Sequence, residues 1–305
     1  MGLFAAAFTI LVWGITFVNT RALLQAGFSA LEIQILRFAL AYAALWAVHP
    51  RRVRLPFAKE LPFIGMGLTG VAVYQFLENS AIHYTTASNV AILVACAPIA
   101  AALLNRFFGT RTRLSPWFFV GFPIAMAGVA MVSFAGIHRF HFDPVGDLMA
   151  LGAMVSWGFY SILVARVNET GLSQLFVIRR SFFWALVLLL PFAVYGATPT
   201  GGAVLRGSFQ TTFDAAVNAH RFASALNWIN LGFLGLFASA ACFVLWNIAC
   251  KRLGIVRCSV GLYLIPAVTV LFAWFFLGET LTPSAIAGTG LILLGVFLSE
   301  KRAKG

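Results

Sequence analysis

Two stretches decide the reading of this chain: LSPWFFVGFPIAMAG at residues 114–128 and LTPSAIAGTGLILLG at residues 281–295. Both open Leu-Ser/Thr-Pro, and both carry glycine at the same two later places, Gly121 and Gly128 in one and Gly288 and Gly295 in the other. Proline suits the first turn of a helix, where no backbone N–H is required. The apolar run that follows matches the roughly 20 residues a helix needs to cross the hydrocarbon core of a bilayer. Glycines seven apart lie on one helical face and let a second helix approach closely. The two stretches read as membrane-spanning helices and as copies of one another.

Working outward, other pairs fall in the same order. Trp13-Gly14 matches Trp157-Gly158, Asn79-x-Ala81 matches Asn247-x-Ala249, and Pro98 matches Pro266. The first pair is offset by 144 residues and the later ones by 167 or 168, the difference falling mainly in a Gly-, Thr- and Ala-rich loop at 196–225. Apolar runs predict ten spans near 3–25, 29–49, 60–80, 86–108, 114–135, 146–166, 173–195, 226–250, 256–277 and 281–299. The expected fold is an all-α polytopic membrane protein. A first five-helix unit covers 1–135, an outer linker 136–145, and a second unit 146–300. Five is odd, so the second unit enters the membrane upside down, giving an inverted 5+5 repeat. Halves related in that way can exchange inward-open and outward-open states around one central site. The loop at 196–225 reads equally as solvated or, from Phe213, Val217 and His220 at helical spacing, as holding a short helix on the membrane surface.

Composition and charge point the same way. The chain has 305 residues, 61% hydrophobic and 10% charged, against about 45–50% and roughly 25% in soluble proteins. Thirty charged groups cannot cover a water-facing surface of this size, which excludes a soluble enzyme and a disordered chain. The net charge of +12 reads as loop bias and not as a nucleic-acid footprint, which needs a contiguous basic face. With the N-terminus in the cytoplasm, 14 of the 21 Lys and Arg fall in cytoplasmic segments, and Arg21, Arg139, Arg206 and Arg221 fall outside. That sorting predicts both termini inside and ten spans; the expected location is a bacterial inner membrane. Cys96, Cys242, Cys250 and Cys258 make no C-x-x-C pair and read as packing residues. His138-x-x-His141 reads as a solvated pair, and no metal or cofactor is expected. The first apolar run lacks the basic flank and cleavage site of a signal peptide.

The paired Trp-Gly motifs, the A-x-x-Y-T-T-A-S-x-x-A run from Ala81, mid-span Pro98, and FFLGETLTP from Phe275 resemble the EamA type of the drug/metabolite transporter superfamily, and within it YddG-like amino-acid exporters. The resemblance spans nearly the whole chain. It implies a secondary transporter, expected to work as a monomer, that exports amino acids with apolar or aromatic side chains. Gly278-Glu279 fits the family pattern, but the matching place in the first half reads Arg111-Thr112.

The residues themselves offer a substrate site. Arg37 in span 2 and Arg180 in span 7 sit at nearly equivalent places. A charge there is costly and reads either as a structural anchor or as a clamp on a substrate carboxylate. Glu78 shares a helical face with Tyr74, one turn earlier, and could take an amino group, a proton or an arginine. Trp13 with Thr16 and Phe17, and Trp157 with Tyr160 and Ser161, form apolar faces with a few polar atoms, suited to a small organic ligand or to helix packing. Tyr263 and Ser259 lie on the side of Pro266. Pro98 and Pro266 should kink their helices and free the carbonyls of Val94 and Leu262. Trp117, Trp184 and Trp228 fit an interfacial belt. No nucleotide-binding loop or catalytic constellation is evident. Sugar phosphates, nucleotide-sugars and hydrophobic cations remain alternative substrates. A lipid-modifying enzyme would need clustered His or Asp at one face, and a channel a ring of like charges. Glu78 is the main candidate for proton coupling, with facilitated diffusion the preferred reading.

Overall fold

The computed structural model describes residues 1–84, 90, 93–108, 115–133, 143–196, 198, 215–277 and 282–300. Among these residues the structure is entirely helical. Helix α1 covers Gly2–Gln25, α2 Ala30–Val48, α3 Phe57–Gly67, α4 Tyr74–Tyr84, α5 Ala97–Phe108, α6 Pro116–Ser133, α7 Pro144–Asn168 and α8 Gln174–Gly196. Further along the chain come α9 Ala215–Ala223, α10 Ala225–Gly232, α11 Cys242–Leu253, α12 Ile255–Gly261, α13 Leu264–Leu277 and α14 Pro283–Glu300. The stretches 30–48, 57–78, 144–168, 174–196 and 225–253 are long and apolar enough to cross a membrane. The apolar helices Gly2–Thr16, Leu93–Phe108, Pro116–Val132, Ile255–Val268 and Pro283–Ser299 are shorter. Large side chains such as Phe4, Phe107, Leu148, Leu190, Phe275 and Phe297 are exposed. Such a surface suits hydrocarbon and not water.

Local chemistry sets the helix starts. Ser29 caps α2: its hydroxyl accepts from Glu32 N at 3.2 Å while the Glu32 carboxylate accepts from Ser29 N at 2.7 Å. Asp143 caps α7, accepting from the backbone N–H groups of Val145 and Gly146, both at 2.9 Å, ahead of Pro144 in the first turn.

Helices α3 and α4 are joined by π-helix over Leu68–Val73, and α10 and α11 by π-helix over Phe233–Ala241. Adding the repeat offset of 168 to 68–73 gives 236–241, inside the second π stretch. The packing is paired in the same way. Helix α1 lies on α11 as α7 lies on α4, α1 on α13 as α7 on α5, and α2 on the second π stretch as α8 on α3.

The glycine faces read from the sequence meet each other, and α6 and α14 form the most extensive helix pair. A Cβ on Gly128 would stand 2.5 Å from the Gly288 carbonyl oxygen, and one on Gly288 would stand 2.7 Å from that of Gly128. The two backbones touch, which only glycine permits.

Pro98 and Pro266 break their helices more sharply than a kink. Cys96 lies in a turn before α5, and Leu262 and Tyr263 lie in one between α12 and α13. Three-residue hydrogen bonds replace the helical ones there: Ile99 N to Cys96 O at 3.0 Å, Tyr263 N to Val260 O at 3.2 Å. The Leu262 carbonyl is not freed, because it accepts from Ile265 N at 3.1 Å.

The helix expected within 196–225 forms at Ala215–Ala223; Phe213 and the Val217 side chain lie outside what is described. Arg221 is only 2% exposed and ties this helix to the α1–α2 turn. It donates to Gly27 O at 2.8 Å, to the Glu32 carboxylate at 3.1 and 3.2 Å, and to Asn218 Oδ1, with its guanidinium 4.6 Å from the Phe28 ring centroid. Arg221→Ala removes charge-assisted hydrogen bonds worth about 2 kcal/mol. The expected result is hydrogen exchange over 215–223 roughly tenfold or more faster, with α1 and α7 unchanged. Unchanged exchange over 215–223 would refute the anchoring role.

Candidate functional site

The aromatic faces of α1 and α7 converge. The Trp13 and Trp157 rings meet edge-on at 6.0 Å, and Trp157 lies 4.9 Å from Tyr160 and 5.2 Å from Tyr74 on α4. Helix α11 completes the cluster with Trp246, 5.2 Å from Trp13, and Phe243, 5.7 Å from Trp13. Phe38 of α2 and Phe182 of α8 pack behind Phe243. Edge-on and tilted contacts of this kind orient rings relative to one another and give the cluster a fixed shape.

Polar groups are placed against it by the π stretches. Trp13 Nε1 donates to the Ala238 carbonyl at 3.0 Å, and Arg37 Nε donates to Ser239 Oγ at 2.9 Å, adjacent residues of the second stretch. The first stretch is engaged in kind: Ser156 Oγ donates to Thr69 O at 2.8 Å and Gln34 Nε2 to Val71 O at 3.0 Å. A π turn displaces carbonyls from the ordinary helical ladder and so presents them to side chains of neighbouring helices.

Two opposite charges flank the rings. Arg37, 8% exposed, comes from α2. Glu78 comes from α4 and accepts from the Tyr74 hydroxyl at 3.1 Å, as the one-turn spacing predicts. Arg37 and Glu78 lie within electrostatic reach of each other without forming a close ion pair. Tyr160 donates to Asn247 Oδ1 at 3.3 Å. Among the described residues, the indole N–H of Trp157 and the amide nitrogen of Asn247 are buried without a hydrogen-bond partner. Buried donors are seldom left in that state.

The structure thus gathers Trp13, Arg37, Tyr74, Glu78, Trp157 and Tyr160, and leaves two predicted residues elsewhere. Arg180 forms a two-pronged ion pair with Glu60 of α3, donating from Nε at 2.7 Å, and Trp184 donates to the same carboxylate at 3.1 Å. Trp184 is half-buried against Glu60, whereas Trp117 and Trp228 are exposed. Tyr263 packs near Phe122 in a second apolar cluster with Val129, Ala125 and Ile292, its hydroxyl unpartnered. The Phe17 side chain lies outside the described residues. Thr16 and Ser161 turn their hydroxyls back on the carbonyls of Trp13 and Trp157, at 2.6 and 2.9 Å. Sequence reasoning missed Ser239 and Phe243. Ser239 was marked only as the one polar residue in the apolar run Phe233–Ala241.

All four cysteines are free thiols, and the described residues hold no group of His, Cys, Asp and Glu able to bind a metal.

Comparison with known proteins agrees with this architecture. A protein of Streptantibioticus cattleyicolor named "Probable terminal-alkyne amino-acid exporter" is 32% identical, over 99% of this chain and 94% of its own length. A Salmonella typhimurium protein named "Probable amino-acid metabolite efflux pump" is 25% identical, over 97% of this chain and 93% of its own. A solved crystal structure superposes with a TM-score of 0.76 at 20% identity, covering 98% of this chain and 96% of that one, which establishes the likeness of fold. Residues 1–134 and 144–300 both match the EamA-like transporter family. The chain is a multi-pass membrane protein that belongs to the EamA-like transporter family.

Proposed function

We propose that the protein exports small zwitterionic metabolites, foremost amino acids with apolar or aromatic side chains, by alternating access around the aromatic cluster. The observation that carries this reading is the placement of Arg37 and Glu78, opposite charges flanking a wall of Trp13, Trp157, Tyr160 and Trp246. A carboxylate fits the guanidinium fork of Arg37. An ammonium group fits Glu78 beside the faces of Tyr74 and Trp157. The unpartnered Trp157 N–H offers a further donor to the substrate. The names of the two relatives support the same substrate class. Hydrophobic cations would also suit the Glu78 corner, but Arg37 opposes them by like charge.

The reading takes the chain as ten spans in two inverted halves, 1–135 and 146–300, with both termini in the cytoplasm of a bacterial inner membrane. It takes the working unit as a monomer that needs no cofactor. The paired contacts and the two family matches support the two halves. The π stretches give each half a place where the helical ladder is already rearranged beside the site, and there the halves bend between inward-open and outward-open states.

The test is flux in liposomes against labelled aromatic and aliphatic amino acids, quaternary amines and sugar phosphates. Amino acids should be carried, and transport of sugar phosphates alone would overturn the proposal. In the same vesicles Glu78→Gln, which removes the partner of the ammonium group, should lower downhill flux of zwitterionic amino acids roughly tenfold or more, and should leave that of substrates without an ammonium group within about threefold. Uphill accumulation under an imposed pH gradient, lost in that variant, would replace facilitated diffusion with proton coupling through Glu78.

A further inference from the structure

A second polar site lies at the end of the bundle where α2 finishes and α8 begins. A cavity of about 500 Å³ opens there, lined by Arg52, Arg54, Arg179 and Arg180 together with Trp46, Tyr42 and other apolar side chains. Four guanidinium groups face one cavity. One carboxylate, Glu60, answers them, and it is taken by Arg180. Arg179 is held in place by donating to the carbonyls of His49 and Arg51, just past the C-terminus of α2, and stacks 3.9 Å over the Trp46 ring. Arg52 touches the same ring from 5.9 Å. Among the described residues neither Arg52 nor Arg54 makes a hydrogen bond or an ion pair.

The arrangement has the chemistry of an anion receptor. Arg179 is pre-oriented, Arg52 and Arg54 have uncommitted donors, and the aromatic wall excludes water from one side, which strengthens ionic hydrogen bonds. Its position narrows the anion. The face of α8 that carries Arg180 and Phe183 continues along the helix in exposed apolar side chains, Val187 and Leu190, suited to acyl chains. A phosphate group reached along such a face, with its tail against Val187 and Leu190, belongs to a lipid. Basic pockets between spanning helices at a membrane surface hold anionic headgroups in this way. We infer that this cavity binds the phosphodiester headgroup of an anionic phospholipid, with Arg52 and Arg54 as its donors, Arg179 as the fixed floor and Trp46 as the wall.

The site is separate from the aromatic cluster, so its test needs no transport substrate. The purified full-length protein is reconstituted with brominated phosphatidylglycerol or brominated phosphatidylcholine, and quenching of Trp46 is read as the difference between the unsubstituted protein and Trp46→Phe. Lipid retention is counted by native mass spectrometry. Phosphatidylglycerol should be retained about tenfold more strongly than phosphatidylcholine and should quench Trp46 preferentially. Arg52→Gln/Arg54→Gln should abolish that preference. Lys251→Gln/Arg252→Gln, which removes two exposed charges elsewhere, should keep it. Equal retention of the two lipids, or equal loss in both double variants, would overturn the proposal. Displacement of phosphatidylglycerol by millimolar inorganic phosphate or glycerol 3-phosphate would also overturn it, by assigning the cavity to a soluble anion. Persistence of bound lipid in their presence supports it. Thermal unfolding of each variant in detergent separates lost binding from lost fold.

Discussion

Replacing Arg37 by Met should reduce amino-acid flux by about a hundredfold while leaving the protein folded. The guanidinium flanks the aromatic cluster, tied by its Nε to Ser239, and lies within electrostatic reach of Glu78. Methionine keeps the length and the apolar stem of the side chain. What disappears is the charged fork. An ionic hydrogen-bonded pair between fork and carboxylate is worth roughly 3 kcal/mol once water is excluded, and about 1.4 kcal/mol corresponds to a factor of ten. Arg37→Lys should recover part of the flux, since a point charge remains but the bidentate geometry is lost. Amines that lack a carboxylate should lose nothing in the Met variant and should compete better than before. Arg180→Gln provides the contrast. It breaks the pair with Glu60, so it should lower thermal stability without changing the preference for carboxylate-bearing substrates. If Arg37→Met carries amino acids at the unsubstituted rate, the carboxylate is bound elsewhere and the proposed site is wrong.

The second large effect belongs to the seam between α6 and α14. Gly128→Leu should prevent the two helices from docking. Even the first carbon of the new side chain would meet Gly288 O at 2.5 Å and Ile292 N at 2.6 Å. These are backbone atoms, which cannot rotate aside. Overpacking of one methyl group costs about 1–3 kcal/mol, so Gly128→Ala should lower the thermal midpoint measurably and Gly128→Leu should leave little monodisperse protein after extraction. Gly290 is on the partner helix, α14, two residues from Gly288, but nothing lies within 4 Å of a Cβ built there. Gly290→Ala should therefore be silent or slightly stabilising, because alanine favours helix over glycine by about 1 kcal/mol. Size-exclusion profiles and thermal midpoints of the three variants decide the matter, and equal behaviour of Gly128→Ala and Gly290→Ala would sink it.

These residues also mark what the sequence made legible. The glycine faces were visible because close backbone contact has one residue type that allows it, and the seven-residue spacing placed all four glycines on matching faces. The Trp13 and Trp157 pairing was visible because the repeat put the same large ring at the same depth twice. The Tyr74–Glu78 bond followed from helical geometry alone. The two arginines were separable only in three dimensions. Arg37 and Arg180 look equivalent along the chain, yet Arg180 meets an acid 120 residues away, Glu60, which nothing in the sequence marks as its partner. Trp246 stands 168 residues after Glu78, at the repeat-equivalent place, but nothing in the sequence marks it as the ring that closes the cluster on Trp13. The π stretches carry no residue signature at all. Leu68–Val73 and Phe233–Ala241 are apolar like their surroundings apart from Thr69 and Ser239, and their hydrogen-bond register is set by what packs against them.

The glycine seam has a further consequence for the order of events during synthesis. Roughly 150 residues separate Ser133, the end of α6, from Pro283, the start of its partner. At about 5–20 residues per second, the first helix waits on the order of 10–30 s in the membrane before the second leaves the ribosome. During that interval its flat glycine face lies open to lipid and to any other helix bearing small residues. The chain can close around its centre only when α14 arrives, so α14 acts as the last stave that tightens the bundle.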